Sequence, residues 1–349
     1  MSDNLTKILI IHTGGGIGDV LLSTAVIQAL AEAYPQAQID FLCQQRTSMA
    51  LRSHPKLHRL HCWPAKGPGS LGAFARWVAQ LRAQRYDAAL VLWSTTATAW
   101  LTWLCGIPRR VGQDSRLSYS FLYNLPVRVR SEHGDVQSHW SEILLDYVRA
   151  LGIPAGPAKI CFPIPQEAQN RAEKLLEPLA HESGPLIGLH AFKGPPVDLQ
   201  NWPLDVFAQW VQALREQLGA KIVLTGSPSE APYAQKIAEI AGPERLISVA
   251  GQTDLETLAA LSTRCQAFVC PDSGPMHVAA AAGARVLGVY ALEEDFPARW
   301  APLSSECRIL RPQPTGCPPG CRKPTCRDFR CYRSVALEQL VAAVRELLP

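Results

Sequence analysis

From Lys7 onward, short apolar runs alternate with stretches of helical period, and this alternation starts twice along the chain. Lys7–His12 is a continuous isoleucine-rich run, the pattern of a strand buried on both faces. A glycine-rich turn follows, and then Val20–Tyr34 carries apolar residues at helical spacing up to Pro35. Strands are predicted at Ile39–Cys43, Leu57–Trp63 and Tyr86–Trp93, with helices at Leu71–Gln84, Ala97–Cys105 and His139–Leu151. Between Gly152 and Pro165 the pattern breaks, with four prolines and two glycines, the composition of an interdomain segment. After a helix at Gln166–Leu179 the alternation resumes. Strands are expected at Leu186–Ala191, Lys221–Thr225, Leu246–Ala250, Ala267–Cys270 and Val286–Tyr290. Helices are expected at Leu204–Leu218, Ala231–Ala241, Leu255–Cys265 and Met276–Ala282. Residues 307–333 read as irregular, and Val335–Leu348 as a closing amphipathic helix.

Repeated strand–helix alternation builds parallel sheets covered by helices on both faces. The predicted fold class is therefore α/β, as two doubly wound Rossmann-like domains facing across a cleft. Their expected limits are 1–165 and 166–333, followed by a closing helix over 334–349. In such sheets ligands bind at the carboxyl ends of the strands. The chain has 349 residues, too many for one comfortable core. Apolar residues make up 47% and charged residues 18%, so it is expected to fold. No apolar run is long enough to span a bilayer, and the N-terminus lacks a basic region followed by an apolar signal core, so a cytoplasmic protein is expected.

The charge is uneven. Residues 1–150 hold 15 Lys/Arg against 10 Asp/Glu, residues 151–306 hold 11 against 17, and residues 307–333 hold 7 against 1. A basic first half and a basic tail suit an anionic partner or an anionic membrane surface.

Several motifs sit at strand-to-helix turns. In Thr13-Gly14-Gly15-Gly16-Ile17-Gly18-Asp19 the glycines permit a sharp turn and close backbone approach. The dinucleotide fingerprint would need glycine where Asp19 stands, and an acid is a poor neighbour for a pyrophosphate, which argues against NAD binding. Asp19 has two readings: a helix cap, or a base that takes the proton of an acceptor hydroxyl. In Cys270-Pro-Asp272-Ser273-Gly274-Pro275-Met-His277, Ser273 and Gly274 can present backbone N–H groups at a helix start, with Pro275 pre-set for the first turn. Such a start suits a diphosphate whose charge grows as it leaves. His277 could donate to a phosphate oxygen. Glu230, in Leu224-Thr-Gly226-Ser-Pro-Ser-Glu230, could accept ribose hydroxyls, or simply be a first-turn acid. Lys193 could set a cation against a phosphate. Cys317, Cys321, Cys326 and Cys331 fall within fifteen residues, with Cys307 upstream. Thiolate ligation of zinc or iron is one reading, although no gap has the two-residue spacing of zinc knuckles; free thiols or fortuitous disulfides are the other.

Together these residues resemble glycosyltransferase family 9, the ADP-heptose–lipopolysaccharide heptosyltransferases, over nearly the whole length. The resemblance rests on Gly-Ile-Gly-Asp19, Tyr34-Pro35, Trp202-Pro203, Leu224-Thr-Gly226 with Glu230, and above all Asp272-Ser-Gly-Pro-Met-His277. It implies a GT-B fold and inverting transfer of heptose from ADP-heptose to a lipopolysaccharide core acceptor, with no cofactor required. It implies the acceptor on the N-terminal domain and the nucleotide sugar on the C-terminal one. Asp19 matches the family's proposed base. Asp272, Ser273, Gly274 and His277 match its donor-diphosphate site, and Glu230 a nucleoside contact. Peripheral contact with the cytoplasmic face of the inner membrane is expected, and no nucleic acid partner. Arg109, Arg110 and Arg116 are the candidates for holding anionic core sugars or phosphates. One departure stands out: two residues before Trp202, where the family usually has lysine, this chain has Gln200. Either Lys193 replaces that cation or donor preference or activity changes. A transferase using another nucleotide sugar or a protein acceptor, a sugar-nucleotide epimerase, and a non-catalytic lipopolysaccharide-binding homologue remain open alternatives.

Overall fold

The computed structural model describes residues 5–194, 198–292, 295–304, 306–313, 317, 324 and 326–349. The chain divides into two compact units, Met1–Phe162 and Pro163–Pro349.

In the first unit, strands β1 (Lys7–His12), β2 (Gln38–Gln44), β3 (Arg59–Trp63), β4 (Ala88–Trp93), β5 (Arg109–Gln113) and β6 (Leu125–Val127) form one sheet in the order β3-β2-β1-β4-β5-β6. All its neighbours pair in parallel. Ile8, Leu9, Ile10 and Ile11 are fully buried, as a central strand covered on both faces requires. Between the strands run α1 (Ile17–Leu22), α2 (Thr24–Ala33), α3 (Leu71–Arg82) and α4 (Thr96–Leu104), and α5 (Trp140–Arg149) packs on α2. The single helix predicted over Val20–Tyr34 is two. The Ser23 and Thr24 hydroxyls donate back to the Val20 and Leu21 carbonyls, and this local bonding interrupts the helix. Strands β5 and β6 escape sequence reading because β5 is Arg-Arg-Val-Gly-Gln and β6 contains Pro126, which the outermost strand tolerates.

The second unit repeats the plan. Strands β7 (Leu186–His190), β8 (Lys221–Thr225), β9 (Leu246–Ser248), β10 (Ala267–Pro271), β11 (Val286–Val289) and β12 (Cys307–Leu310) lie in the order β12-β11-β10-β7-β8-β9. Counted from β7, this is the same 3-2-1-4-5-6 order as in the first unit. Its helices are α6 (Gln166–Leu176), α7 (Leu204–Leu218), α8 (Ala231–Ala241), α9 (Leu255–Arg264), α10 (Gly274–Ala281), α11 (Pro297–Trp300), α12 (Arg330–Arg333) and α13 (Leu337–Arg345). Helix α13 packs on α7. Residues 307–333 are not wholly irregular: Cys307–Leu310 extends the sheet as an edge strand and Arg330–Arg333 is helical. No helix among the described residues is long and apolar enough to cross a membrane.

The 3-2-1-4-5-6 order reverses the direction in which strands are added across the sheet between β1 and β4, and again between β7 and β10. These are the switch points at which open α/β sheets bind ligands. The Asp19 turn leaves β1, and the Asp272–His277 turn leaves β10.

Candidate active site

At the first switch point the glycine turn is held from three sides. A Cβ built on Gly14 would lie 2.0 Å from the Trp93 ring at the end of β4, so only glycine lets that indole cover the turn. Gly15 has φ +65°, a conformation that side chains resist. Arg46 donates from Nη2 to the Gly15 carbonyl at 2.9 Å. Gly18 lies inside α1. The half-buried Asp19 accepts the Gly16 N–H at 2.7 Å through Oδ2. It therefore caps α1 through that oxygen. Behind it His12 is fully buried, its ring 5.7 Å from that of Trp93. Neither of its ring nitrogens has a hydrogen-bond partner among the described residues. Burial lowers the His12 pKa to about 4, against the opposing pull of Asp19, so the ring beside that carboxylate is neutral at ordinary pH.

The second switch point carries a helix start without a side-chain cap, a histidine and a lysine set between two carboxylates. Ser273 starts α10 in an extended conformation with no side-chain cap, and the first turn holds no acid. That leaves a helix start whose partial positive charge is not answered by a carboxylate of its own. His277, 4% exposed, lies on the same helix one turn in. Lys193, just past β7, reaches the site from the side. Its Nζ lies 3.2 Å from Asp272 Oδ2 and also bonds Asp295 Oδ1. The side chains of Lys193 and Asp295 are 3% and 2% exposed, that of Asp272 19%. Burial raises the pKa of Asp295, and the Lys193 ammonium opposes that rise. Trp202 explains why Lys193 is held in place. Its indole N–H donates to the Ala191 carbonyl at 2.8 Å, and its ring packs among Phe207, Phe329 and Tyr332. The Trp-Pro motif thus anchors the strand end that carries the lysine.

The remaining candidates fall as follows. Glu230 is buried and accepts the Ser227 N–H at 2.7 Å, the same bond from an acid to the third residue before it as Asp19 makes. Burial lowers the pKa of His190, at the end of β7, against the pull of Glu230. Gly226 is tightly enclosed, with Ala250, Glu230 and Phe192 atoms 3.2–3.3 Å from a would-be Cβ. Gln200 is exposed in a short turn, where its N–H is held by Asp198. Arg110 gives its guanidinium to the Leu122 and Ile107 carbonyls, at 2.8 and 2.6 Å, and so ties its own loop together. Arg116 pairs with Glu132 at 2.6 Å. Arg109 is half-buried on β5. Of the basic trio, Arg110 and Arg116 are thus engaged within the first unit. Cys321 lies outside the described residues. Cys326 Sγ accepts the Phe329 N–H at 3.3 Å and Cys331 is buried. Among the described residues no three His, Cys, Asp or Glu side chains come together as a metal site.

Sequence reasoning missed His12, Trp93, Arg46 and Asp295. A polar residue ending a wholly apolar strand was the available signal for His12. Asp295 had none, because only the fold brings it to Lys193.

A family model described as glycosyltransferase family 9 (heptosyltransferase) matches residues 74–328. The chain is 30% identical over 318 residues to the lipooligosaccharide heptosyltransferase 2 of Haemophilus ducreyi, covering 87% of this chain and 88% of that one. Among solved structures, a family 9 glycosyl transferase from Veillonella parvula superposes with TM-score 0.83 at 20% identity, covering 99% of this chain and 98% of that one. The E. coli ADP-heptose LPS heptosyltransferase II superposes with TM-score 0.76 at 22% identity, covering 98% of each. Fold and relatives define the class: a glycosyltransferase of GT-B fold. Within that class, the chain belongs to glycosyltransferase family 9.

Proposed function

We propose that this enzyme transfers heptose from ADP-heptose to a lipopolysaccharide core acceptor with inversion at the anomeric carbon. In the proposed step Asp19 Oδ1 takes the proton of an acceptor hydroxyl. The hydroxyl oxygen bonds to the anomeric carbon, and the bond from that carbon to the diphosphate oxygen breaks on the opposite face. The uncapped start of α10, His277 and Lys193 then stabilise the departing ADP. No divalent metal enters the step as written. A zinc or iron ion on Cys317, Cys321, Cys326 and Cys331 would have a structural part. Glu230 and Gly226 are assigned to the nucleoside side, and the acceptor to the first unit, with the protein working at the cytoplasmic face of the inner membrane.

The observation that carries this reading is the contrast between the two helix starts. The acid-bearing turn after β1 suits a proton acceptor, and the acid-free helix start after β10 suits an anion. The names of the relatives support heptose and ADP as the donor's parts. Purified protein incubated with ADP-heptose and truncated core acceptors, read by mass spectrometry, tests it. The expected product is an acceptor heavier by one heptosyl group, with release of ADP. Transfer only from another nucleotide sugar, or none at all, overturns it.

A further inference from the structure

The first unit presents an aromatic face that the transfer chemistry does not use. Helix α4 buries Thr98, Ala99, Leu101 and Thr102 and turns Trp100, Trp103 and Leu104 outward, exposed by 37%, 47% and 37%. The two indoles pack edge to face at 5.5 Å. Trp93, 38% exposed, precedes α4 on the turn that covers Gly14. The short turn Ser120–Leu122 packs against α4 and carries Phe121, 70% exposed, with Leu117 fully outward just before it. Among the described residues, Trp100 and Trp103 are the two most outward tryptophans of α4, and the third exposed tryptophan, Trp93, covers Gly14 instead. The exposed large apolar residues of the second unit, Ile240, Phe296 and Ile309, belong to separate elements. Isolated apolar residues are ordinary on a surface, but a packed pair of exposed tryptophans with apolar neighbours marks an interaction site.

Arginines flank it, although Arg116 and Arg130 are ion-paired with Glu132 and with Asp135 and Asp146. Residues 71–130 contain eight arginines against two aspartates, and neither lysine nor glutamate. Helix α3, which packs against α4, exposes Arg76 and Arg82, and Arg82 is close enough to Cys105, at the end of α4, to lower its pKa against the rise from burial. Exposed tryptophan beside arginine is the composition of a surface that rests in the headgroup layer of an anionic bilayer: indoles favour the interface, and guanidinium groups meet lipid phosphates.

We propose that the outer face of α4, with Leu117 and Phe121, is a docking surface for an anionic phospholipid bilayer. The inference deepens the proposed function, since it rests on the reading of the Asp19 side as the acceptor's. Helix α4 follows β4, whose last residue Trp93 covers Gly14 of that turn, so docking would bring the turn close to a lipid-anchored sugar.

Flotation of the full chain with vesicles of phosphatidylcholine, with or without phosphatidylglycerol, tests this surface. The wild type is expected to float with the phosphatidylglycerol vesicles and to be released by salt. The double variant W100Q/W103Q should lose at least ~10-fold in vesicle affinity, and R76Q/R82Q roughly 30-fold at low salt. Melting temperature and transfer to a water-soluble acceptor should be unchanged in both. Failure of the wild type to float, or equal flotation of W100Q/W103Q, overturns the proposal. So does a concentration-dependent dimer that W100Q/W103Q abolishes, since it would assign the face to a second copy of the chain. Flotation without heptosyl transfer would sink the proposed reaction and leave the docking surface standing.

Discussion

The two units share one strand order, yet their switch-point turns have opposite chemistry. After β1, Asp19 folds back onto Gly16 and answers its own helix start with a carboxylate. After β10, Ser273 leaves the start of α10 without a side-chain cap, and the nearest acid, Asp272, is turned toward Lys193 instead. On the proposed reading the same scaffold thus offers a proton acceptor in one unit and an anion site in the other. The difference lies in where a single acid stands relative to the helix start. Inside α1 it closes the amide site; one residue before Ser273 and tied to a lysine, it leaves the site open.

The comparison can be broken most forcefully at Lys193. Lys193→Met strips the buried Asp295 and the half-buried Asp272 of their shared cation and should cost about 3–5 kcal/mol of stability. Urea unfolding measures it, and a loss below about 1 kcal/mol would mean that the lysine does not hold the second turn. Acid tests the histidines that end the two first strands. The folded pKa of His12 is about 4 against an ordinary 6.5, and burial lowers those of His54 and His190 as well. Below pH 6.5 the unfolded chain binds protons that the folded one refuses. Stability is therefore complete above pH 6.5 and is lost as the pH falls toward 4, by about 3 kcal/mol for His12 alone. In His12→Gln the slope of stability against pH should lose one proton's share over that window. Asp40 acts lower: burial raises its pKa, but hydrogen bonds from His61, Tyr86 and His58 outweigh burial and hold it at about 2. Its contribution is present above pH 3.8 and is lost as the pH falls toward 2.

Gly14→Ala sharpens the view of the first turn. The added methyl must displace Trp93, and the expected cost is about 1–3 kcal/mol, read as a lower melting temperature. The smallest effect is expected at Gln200. Gln200→Lys puts a cation on the exposed turn before Trp202, and ADP affinity by calorimetry should rise about 5- to 10-fold. No change would mean that this turn does not meet the diphosphate.

Much of this was legible before any coordinates. Apolar runs such as Lys7–His12 and Lys221–Thr225 give strands with the bounds their composition suggests, because burial on both faces leaves a continuous signal. The edge strands β6 and β12, and β5 beside β6, gave none, since strands at the margin of a sheet need no such run and can hold arginine, proline or a half-buried cysteine. The site motifs are local, so Asp19 and Asp272–His277 could be read directly. The partners that give them meaning come from far along the chain: Trp93 over Gly14, and Asp295 on Lys193 from 102 residues away. The role of Trp202 was hidden for the same reason, as its indole holds a carbonyl eleven residues earlier.

The most direct test is Asp19→Asn, because an amide oxygen can still accept the Gly16 N–H and keep α1 capped, while its basicity is gone. Transfer rate and ADP affinity should be measured on the same preparation. If Asp19 is the proton acceptor, turnover falls at least ~10²-fold while ADP binding and melting temperature stay at the wild-type values. Turnover close to wild type would show that Asp19 is only a helix cap, and the contrast between the two turns would lose its chemical meaning.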